Sequence, residues 1–219
     1  MNILIVAPHA DDEVLGCGGM IARRRREGHD VRVVVASNGD VTRLGVPKAS
    51  AAARMTQMQE AAQILGIAVP DVLFPGAENK LDSVPILDVV SRLDQVVVQT
   101  DWDQVFIPYP SHHQDHRVVH DACLSALRPR GRRGPCLIAL YEYAYVGATP
   151  LPGGRYYVDV TDTFETKRAA FAAYATEACA APHPLSFEAM ETLARMRGIE
   201  AGAALAELFY VLKMVDPAA

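Results

Sequence analysis

The stretch that decides the fold is a short apolar run followed at once by an acidic turn, Ile3-Leu4-Ile5-Val6-Ala7-Pro8-His9-Ala10-Asp11-Asp12-Glu13. The branched apolar run, bounded by a proline, is typical of a buried β-strand. One imidazole and three carboxylates follow it within five residues. Because crowded carboxylates repel one another and lose hydration when buried, we expect a divalent cation here. A solvated acidic turn is the alternative interpretation.

Apolar runs alternate with helical patterns along the rest of the chain. Strands are predicted at 2–6, 31–36, 71–74, 103–108, 136–143, 156–160 and 208–214, and helices at 14–27, 48–65, 85–100, 111–127, 162–176 and 185–197. Strands that alternate with helices at this spacing indicate βαβ units. We therefore predict an α/β fold of the Rossmann-like three-layer α/β/α type, with a mostly parallel sheet whose first five strands have the order 3-2-1-4-5.

A second cluster follows the fourth predicted strand and reads Ser111-His112-His113-Gln114-Asp115-His116. His113 and His116 are three residues apart, so they share a face at the start of a helix. In the order 3-2-1-4-5, the carboxyl ends of strands 1 and 4 adjoin at the point where ligands bind in open α/β sheets. The topology therefore predicts that residues 9–13 and 111–116 meet.

Two histidines and one carboxylate form a three-ligand metal site with open coordination positions. Zinc in such a site binds water and lowers its pKa toward about 7. The same ligands suit a non-haem Fe(II) oxygenase, so Fe²⁺ or another divalent metal stays open. A further carboxylate beside the site favours hydrolysis, because an attacking water needs a base. Dinucleotide binding and serine hydrolysis are disfavoured, because the chain lacks G-x-G-x-x-G behind strand 1 and a G-x-S-x-G elbow.

Composition narrows the class of protein. The 219 residues suit one domain, and the formal net charge of −5 argues against binding to nucleic acid. No run of eighteen apolar residues is present, so we expect no membrane span. The four cysteines show no C-x-x-C spacing, which favours reduced thiols in a cytoplasmic protein. Surface helices could pair two copies into a homo-oligomer.

The two clusters resemble the motifs of a known family. Pro8-His9-Ala10-Asp11-Asp12-Glu13 resembles the (A/P)-H-(P/A)-D-D-E signature of the LmbE-like, or PIG-L, zinc N-deacetylases, and His113-Gln114-Asp115-His116 resembles their H-x-D-H motif. Weaker similarity over residues 54–66 and 197–209 extends the match to nearly the whole chain. The resemblance implies one such domain over 1–219, with a C-terminal portion from about 145 to 219 that completes the site.

The resemblance also implies the roles of individual residues. The zinc ligands would be His9, Asp12 and His116. Asp11 would be the general base, and His113 would stabilise the oxyanion or act as an acid. Asp115 would orient a histidine, and Arg54 would lie on the substrate side. Gln57 stands where many members carry glutamate, which leaves substrate contacts on that helix open.

The function that the resemblance implies is a zinc-dependent hydrolase that removes an N-acetyl or similar acyl group from an amino-sugar-type substrate. A zinc-bound water would attack the amide, and the partner would be a small N-acylated amino sugar or glycoside. The alternatives are an amidase that cleaves a thiol-sugar conjugate, a non-haem Fe(II) oxygenase, and a non-catalytic metal-stabilised binding module. The Gly/Pro-rich loop at 147–155 is a candidate lid.

Overall fold

The computed structural model describes residues 1–43, 46–131, 134–144 and 153–216, without the side chains of 41–48. Within these ranges the strands are β1 (Asn2–Ala7), β2 (Asp30–Asn38), β3 (Val41–Arg43), β4 (Val46–Ala49), β5 (Asp71–Pro75), β6 (Gln104–Pro108), β7 (Leu137–Tyr141), β8 (Gly154–Asp159) and β9 (Ala206–Met214). The helices are α1 (Asp12–Arg26), α2 (Ala51–Leu65), α3 (Ile86–Val97), α4 (Gln114–Ala126), α5 (Phe164–Ala173) and α6 (Phe187–Ala201), with a 3₁₀ turn at Leu81–Ser83.

A seven-stranded sheet runs in the order β5-β2-β1-β6-β7-β9-β8. The first five strands in that order are parallel, and β9 pairs antiparallel with both β7 and β8. The predicted α/β class and the order of the first five strands are confirmed. Every residue of β1 after Asn2 is buried, which fits a central strand covered on both faces.

Helices cover both faces of the sheet. Strand β1 passes through α1 to β2 in one direction along the sheet, whereas β6 passes through α4 to β7 in the other. Because such crossovers are right-handed, α1 and α4 lie on opposite faces. α5 packs against α1 and α2, and α3 packs against α4, which gives the predicted three layers.

The observed boundaries of several elements differ from the predicted ones. α2 begins after Ser50, whose Oγ accepts a hydrogen bond from the Ala53 amide at 3.1 Å, because residues 46–49 pair with β3 in a hairpin. β2 continues to Asn38, through the first half of the predicted turn at 37–40. Of the predicted 147–155 loop, residues 147–152 lie outside the described residues, and 154–155 already belong to β8.

Two glycines allow α1 to lie close to its neighbours. A Cβ atom on Gly16 would stand 2.2 Å from Cδ2 of Tyr141, and one on Gly19 would stand 2.7 Å from Cβ of Val160. Both contacts are too short for any larger residue. The N-terminus of α1, which carries the acidic motif, is therefore held tightly against the sheet.

No helix in the described ranges combines the length and apolar character needed to cross a bilayer. The same ranges contain no disulfide bond.

Candidate metal centre

The acidic motif forms a strained turn between β1 and α1. Asp11 has φ 123° and ψ −30°, a conformation that non-glycine residues rarely adopt. Its amide donates to Oε2 of Glu13 at 3.0 Å, and Nη2 of Arg54 donates to the carbonyl of Ala10 at 2.7 Å. Tyr174 in turn donates to Oε1 of Glu13 at 2.5 Å. Strain of this kind costs about 1–3 kcal/mol and persists only when surrounding contacts hold it.

Three side chains converge at the end of this turn. Oδ2 of Asp12 lies 3.4 Å from Nδ1 of His9 and 3.3 Å from Nε2 of His116. The three residues are buried and form a group that could hold a metal ion. The Asp12 carboxylate is oriented by the amide of His9, which donates to Oδ2 at 3.0 Å.

The spacing of these donor atoms fits a cation better than direct hydrogen bonds. N–H···O bonds in proteins span roughly 2.7–3.2 Å, which is shorter than both of the side-chain separations. Two ligands that are each about 2.0–2.1 Å from a tetrahedral zinc stand roughly 3.3–3.4 Å apart. The donor set of two imidazoles and one carboxylate suits zinc and also Fe²⁺. The residues present therefore fit a divalent metal.

Asp115 fixes the orientation of His9. Its Oδ2 lies 2.9 Å from Nε2 of His9, on the side of the ring away from Asp12. The same carboxylate accepts from the amides of Asn79 at 2.7 Å and Leu81 at 3.0 Å. Burial alone would lower the pKa of His9, but the hydrogen bonds to Asp115 and Asp12 raise it to about 10. Positive charge at His9 is thus strongly favoured, and a metal would compete with the proton there.

His113 lies beside the three converging residues as the N-cap of α4. Its Nδ1 accepts from the amide of Asp115 at 3.2 Å, so the ring proton sits on Nε2, which donates to Oδ1 of Asn79 at 2.9 Å. The helix begins at Gln114 for this reason, and not at Ser111 as predicted. Burial, and then positive charge on His9 and His116, lower the pKa of His113 to about 4. The imidazole is neutral in this arrangement.

Asp11 and Arg54 line the same cavity as His113. Burial and the charge of Asp12 raise the pKa of Asp11, against the effect of Arg54. A bound cation would act in the same direction as Arg54. The Arg54 guanidinium is only 2 % exposed, with Nη1 2.5 Å from Oε1 of Glu177 and Nη2 3.3 Å from Oε1 of Glu78.

A cavity with about 120 Å³ of room for water opens onto this group. Its lining contains both polar and apolar side chains. The polar wall consists of Arg54, Glu78, Asn79, Glu177 and His183, and the less polar wall consists of Leu15, Tyr143 and Leu185. Glu177, His183 and Leu185 come from the C-terminal portion of the chain.

All seven residues named from the sequence lie at or beside this cavity. His9, Asp11, Asp12, Arg54, His113 and His116 line it, and Asp115 holds His9 from behind. The remaining histidine of the second cluster, His112, is exposed, and His120, one turn beyond His116 on α4, faces the carbonyl of Pro108 through Nδ1 at 2.9 Å.

Sequence reasoning did not find Tyr143, whose hydroxyl lies 3.4 Å from Nε2 of His116. It also missed Glu78, Asn79, Glu177 and His183 on the polar wall. Tyr143 follows β7, the strand next to β6, so its place beyond the carboxyl end of a central strand was the available signal. The other four lie in loops, Glu78 and Asn79 after β5 and Glu177 and His183 after α5, and no sequence pattern ties them to the site.

Comparison with solved structures supports the fold. N,N'-diacetylchitobiose deacetylase from Pyrococcus horikoshii is 23% identical, with a TM-score of 0.74 over 96% of this chain and 83% of that one. The zinc-inhibited form of teicoplanin deacetylase Orf2 is 17% identical, with a TM-score of 0.78 over 99% and 100%. GalB, the 4-carboxy-2-hydroxymuconate hydratase from Pseudomonas putida KT2440, is 20% identical, with a TM-score of 0.71 over 100% and 99%. Proteins with this fold thus catalyse different reactions.

No curated protein sequence matches the chain significantly. The sequence profile of the PIG-L family, described as GlcNAc-PI de-N-acetylase, matches residues 4–127, which include both the acidic motif at 9–13 and the histidine cluster at 111–116. Because that match covers more than half of the chain, the protein belongs to the PIG-L family of de-N-acetylases.

Proposed function

We propose that this protein is a metal-dependent hydrolase that removes an N-acetyl or similar acyl group from an amino-sugar-type substrate. The observation that carries the proposal is the convergence of His9, Asp12 and His116 beside a cavity that Asp11 also lines. Three ligands with a neighbouring carboxylate are what hydrolysis requires of a metal site. Family membership and the deacetylase neighbours support the same reaction class.

Zinc is the proposed metal, and when bound it would polarise the acyl oxygen and acidify a water molecule. Asp11 is placed to take the proton from the attacking water as oxygen adds to the carbonyl carbon. The C–N bond then breaks, the acyl group leaves as a carboxylate, and the proton passes to the amine. Burial, and then the charge of Asp12, raise the pKa of Asp11, which strengthens it as a base.

Negative charge that develops on the acyl oxygen needs a hydrogen-bond donor from the protein. His113 is the donor that the family resemblance implies, but its single ring proton is directed at Asn79 in this structure. Tyr143 offers a second donor, since its hydroxyl lies 3.4 Å from His116 Nε2. We therefore propose that His113 turns from Asn79 when substrate binds, and that Tyr143 donates from the other side.

The sugar is proposed to lie along the polar wall. Glu78, Asn79, Glu177 and His183 line this wall and offer acceptors and donors to hydroxyl groups. Because the Arg54 guanidinium is already bound to two carboxylates and a carbonyl, its proposed role is to shape this wall and to hold the turn at Ala10. The C-terminal portion contributes Glu177 and His183, so we propose that it completes the site.

A screen of acetate release tests the proposal. The zinc-loaded protein is expected to release acetate from N-acetylglucosamine or N,N'-diacetylchitobiose in anaerobic buffer, and the chelated protein is not. Turnover that needs oxygen and Fe²⁺ would instead indicate an oxygenase, and cleavage confined to thiol-sugar conjugates would indicate the amidase. A protein that binds zinc but releases no acyl group from any of these compounds would reject the proposal.

A further inference from the structure

A second cavity adjoins the metal cavity and has no role in the reaction described so far. Leu15 and Tyr143 line both cavities, so these two side chains lie at the boundary between them. The rest of the wall includes Met190, Leu193 and Ala194 from one face of α6. These positions follow the i, i+3, i+4 spacing of a helix stripe, and they give the second cavity an apolar lining.

The four charged side chains that line the second cavity form two ion pairs with one another. Lys167 Nζ is 2.7 Å from Oε1 of Glu207, and Arg197 Nε is 2.6 Å from Oε1 of Glu142. Glu142 also accepts from the hydroxyl of Tyr210 at 3.0 Å. A polar ligand would therefore find few open hydrogen-bond partners here, whereas an alkyl group would gain from burial.

The polarity of the metal cavity sets the direction in which a substrate lies. Sugar hydroxyls suit the wall that carries Glu78, Asn79 and Glu177, as the proposed function requires. A sugar held there would direct the acyl group toward the less polar lining, to which Leu15 and Tyr143 belong. Beyond acetyl, each additional carbon would extend past these two side chains into the second cavity.

We propose that the second cavity receives the alkyl chain of an N-acyl group longer than acetyl, so that N-butanoyl amino sugars are preferred substrates. The room open to the centre of a water molecule is about 20 Å³. A water molecule needs about 10–15 Å³ of such space, so one or two methylene-sized groups fit. Acetyl extended by two methylenes is butanoyl. This inference rests on the proposed function and adds the substrate class to it.

The test compares kcat/KM of the zinc-loaded protein for N-acetyl-, N-butanoyl- and N-octanoylglucosamine. Two buried methylenes are expected to raise kcat/KM roughly 10-fold for butanoyl over acetyl, and the octanoyl compound should lose that gain. A preference for acetyl over butanoyl would overturn the proposal and leave the deacetylase function intact. Failure to release any acyl group would count against the proposed function itself.

Two substitutions on α6 separate the cavity from a general effect on the enzyme. Leu193→Trp fills the cavity and should lower the butanoyl-to-acetyl ratio of kcat/KM about 10-fold. Met190→Ala enlarges it and should shift the preference to longer chains. Met196→Trp is the matched control, because Met196 is 45% exposed and does not line the cavity. An unchanged ratio in both Leu193→Trp and Met190→Ala would overturn the proposal.

Discussion

The backbone of Asp11 is the most constrained point of the candidate site. This positive φ belongs to the turn from which Asp12 contacts the two histidines, and both Asp11 and Asp12 line the cavity. The bonds from Asp11 to Glu13 and from Arg54 to Ala10 hold the turn before any ligand is bound.

Replacement of Asp11 tests the base. Asp11→Asn keeps the size of the side chain but removes the proton acceptor, so we expect turnover to fall on the order of 10²–10⁴. Zinc content should be unchanged, because Asp11 lies outside the three converging residues. Rates of acyl release and metal content are measured on the same preparation. Turnover within tenfold of the parent protein would contradict the assignment.

Replacement of Tyr143 tests the second donor. Tyr143→Phe removes one hydroxyl from the less polar wall, and we expect kcat to fall on the order of 10² with KM little changed. Tyr157→Phe is the control, since Tyr157 lies on β8 and bonds to Glu200. Equal losses in the two variants would show a structural effect. Bound zinc, measured by competition with a coloured chelator, should match the parent protein in both.

At the scale of elements, the middle of α1 is held by hydrogen bonds with side chains from two distant parts of the chain. The amides of Gly19 and Met20 donate to Glu207 at 3.0 and 2.7 Å, and Lys167 donates to the carbonyl of Leu15 at 2.8 Å. α5 and β9 thus fix the helix whose N-terminus carries Asp12.

Loss of these contacts with α1 should lower the stability of the folded protein. Glu207→Gln leaves the buried Lys167 ammonium without its anion, so we expect the free energy of unfolding to fall by about 3–5 kcal/mol. Glu191→Gln breaks the exposed pair with Arg195 on α6, and should cost only about 0.3–0.5 kcal/mol. Urea denaturation of both variants gives the comparison. Similar losses in the two would mean that the Lys167–Glu207 pair does not hold α1.

For the whole molecule, a cation would join the ends of two strands that are adjacent in the sheet and about a hundred residues apart in the chain. His9 and Asp12 follow β1, and His116 lies in α4 behind β6. A ligand that binds only the folded chain stabilises it by mass action. The metal should therefore contribute to the stability of the entire sheet and not only to catalysis.

Removal of metal tests this coupling. At a free zinc concentration about 100-fold above Kd, the gain is about 2.7 kcal/mol, which corresponds to roughly 5–10 °C in Tm for a chain of this size. Chelation should reverse the shift. Asp12→Ala should show no shift with zinc, because one of the three ligands is missing. A shift of full size in that variant would place the metal elsewhere.

Much of the fold and of the candidate site could be predicted from the sequence, because the patterns that indicate them are local or follow from topology. Buried apolar runs such as 3–6 specify strands, and right-handed crossovers leave few ways to order them, so the meeting of residues 9–13 with 111–116 could be predicted. The side chains that cap α2 and α4 moved the helix starts by three residues each, since capping depends on contacts that periodicity does not report.

What only the tertiary structure decided is how the remaining walls of the site are assembled. Asn79, Glu177 and His183 come from loops whose path depends on packing, and Tyr143 gained its place from the pairing of β7 with β6. The sequence by itself determined the parallel sheet and the candidate metal ligands. The metal ligands follow from the spacing of residues within short motifs, and the strand order follows from the right-handedness of the crossovers. The polar and less polar walls of the cavity required the folded chain, because they arise from contacts between residues far apart in sequence.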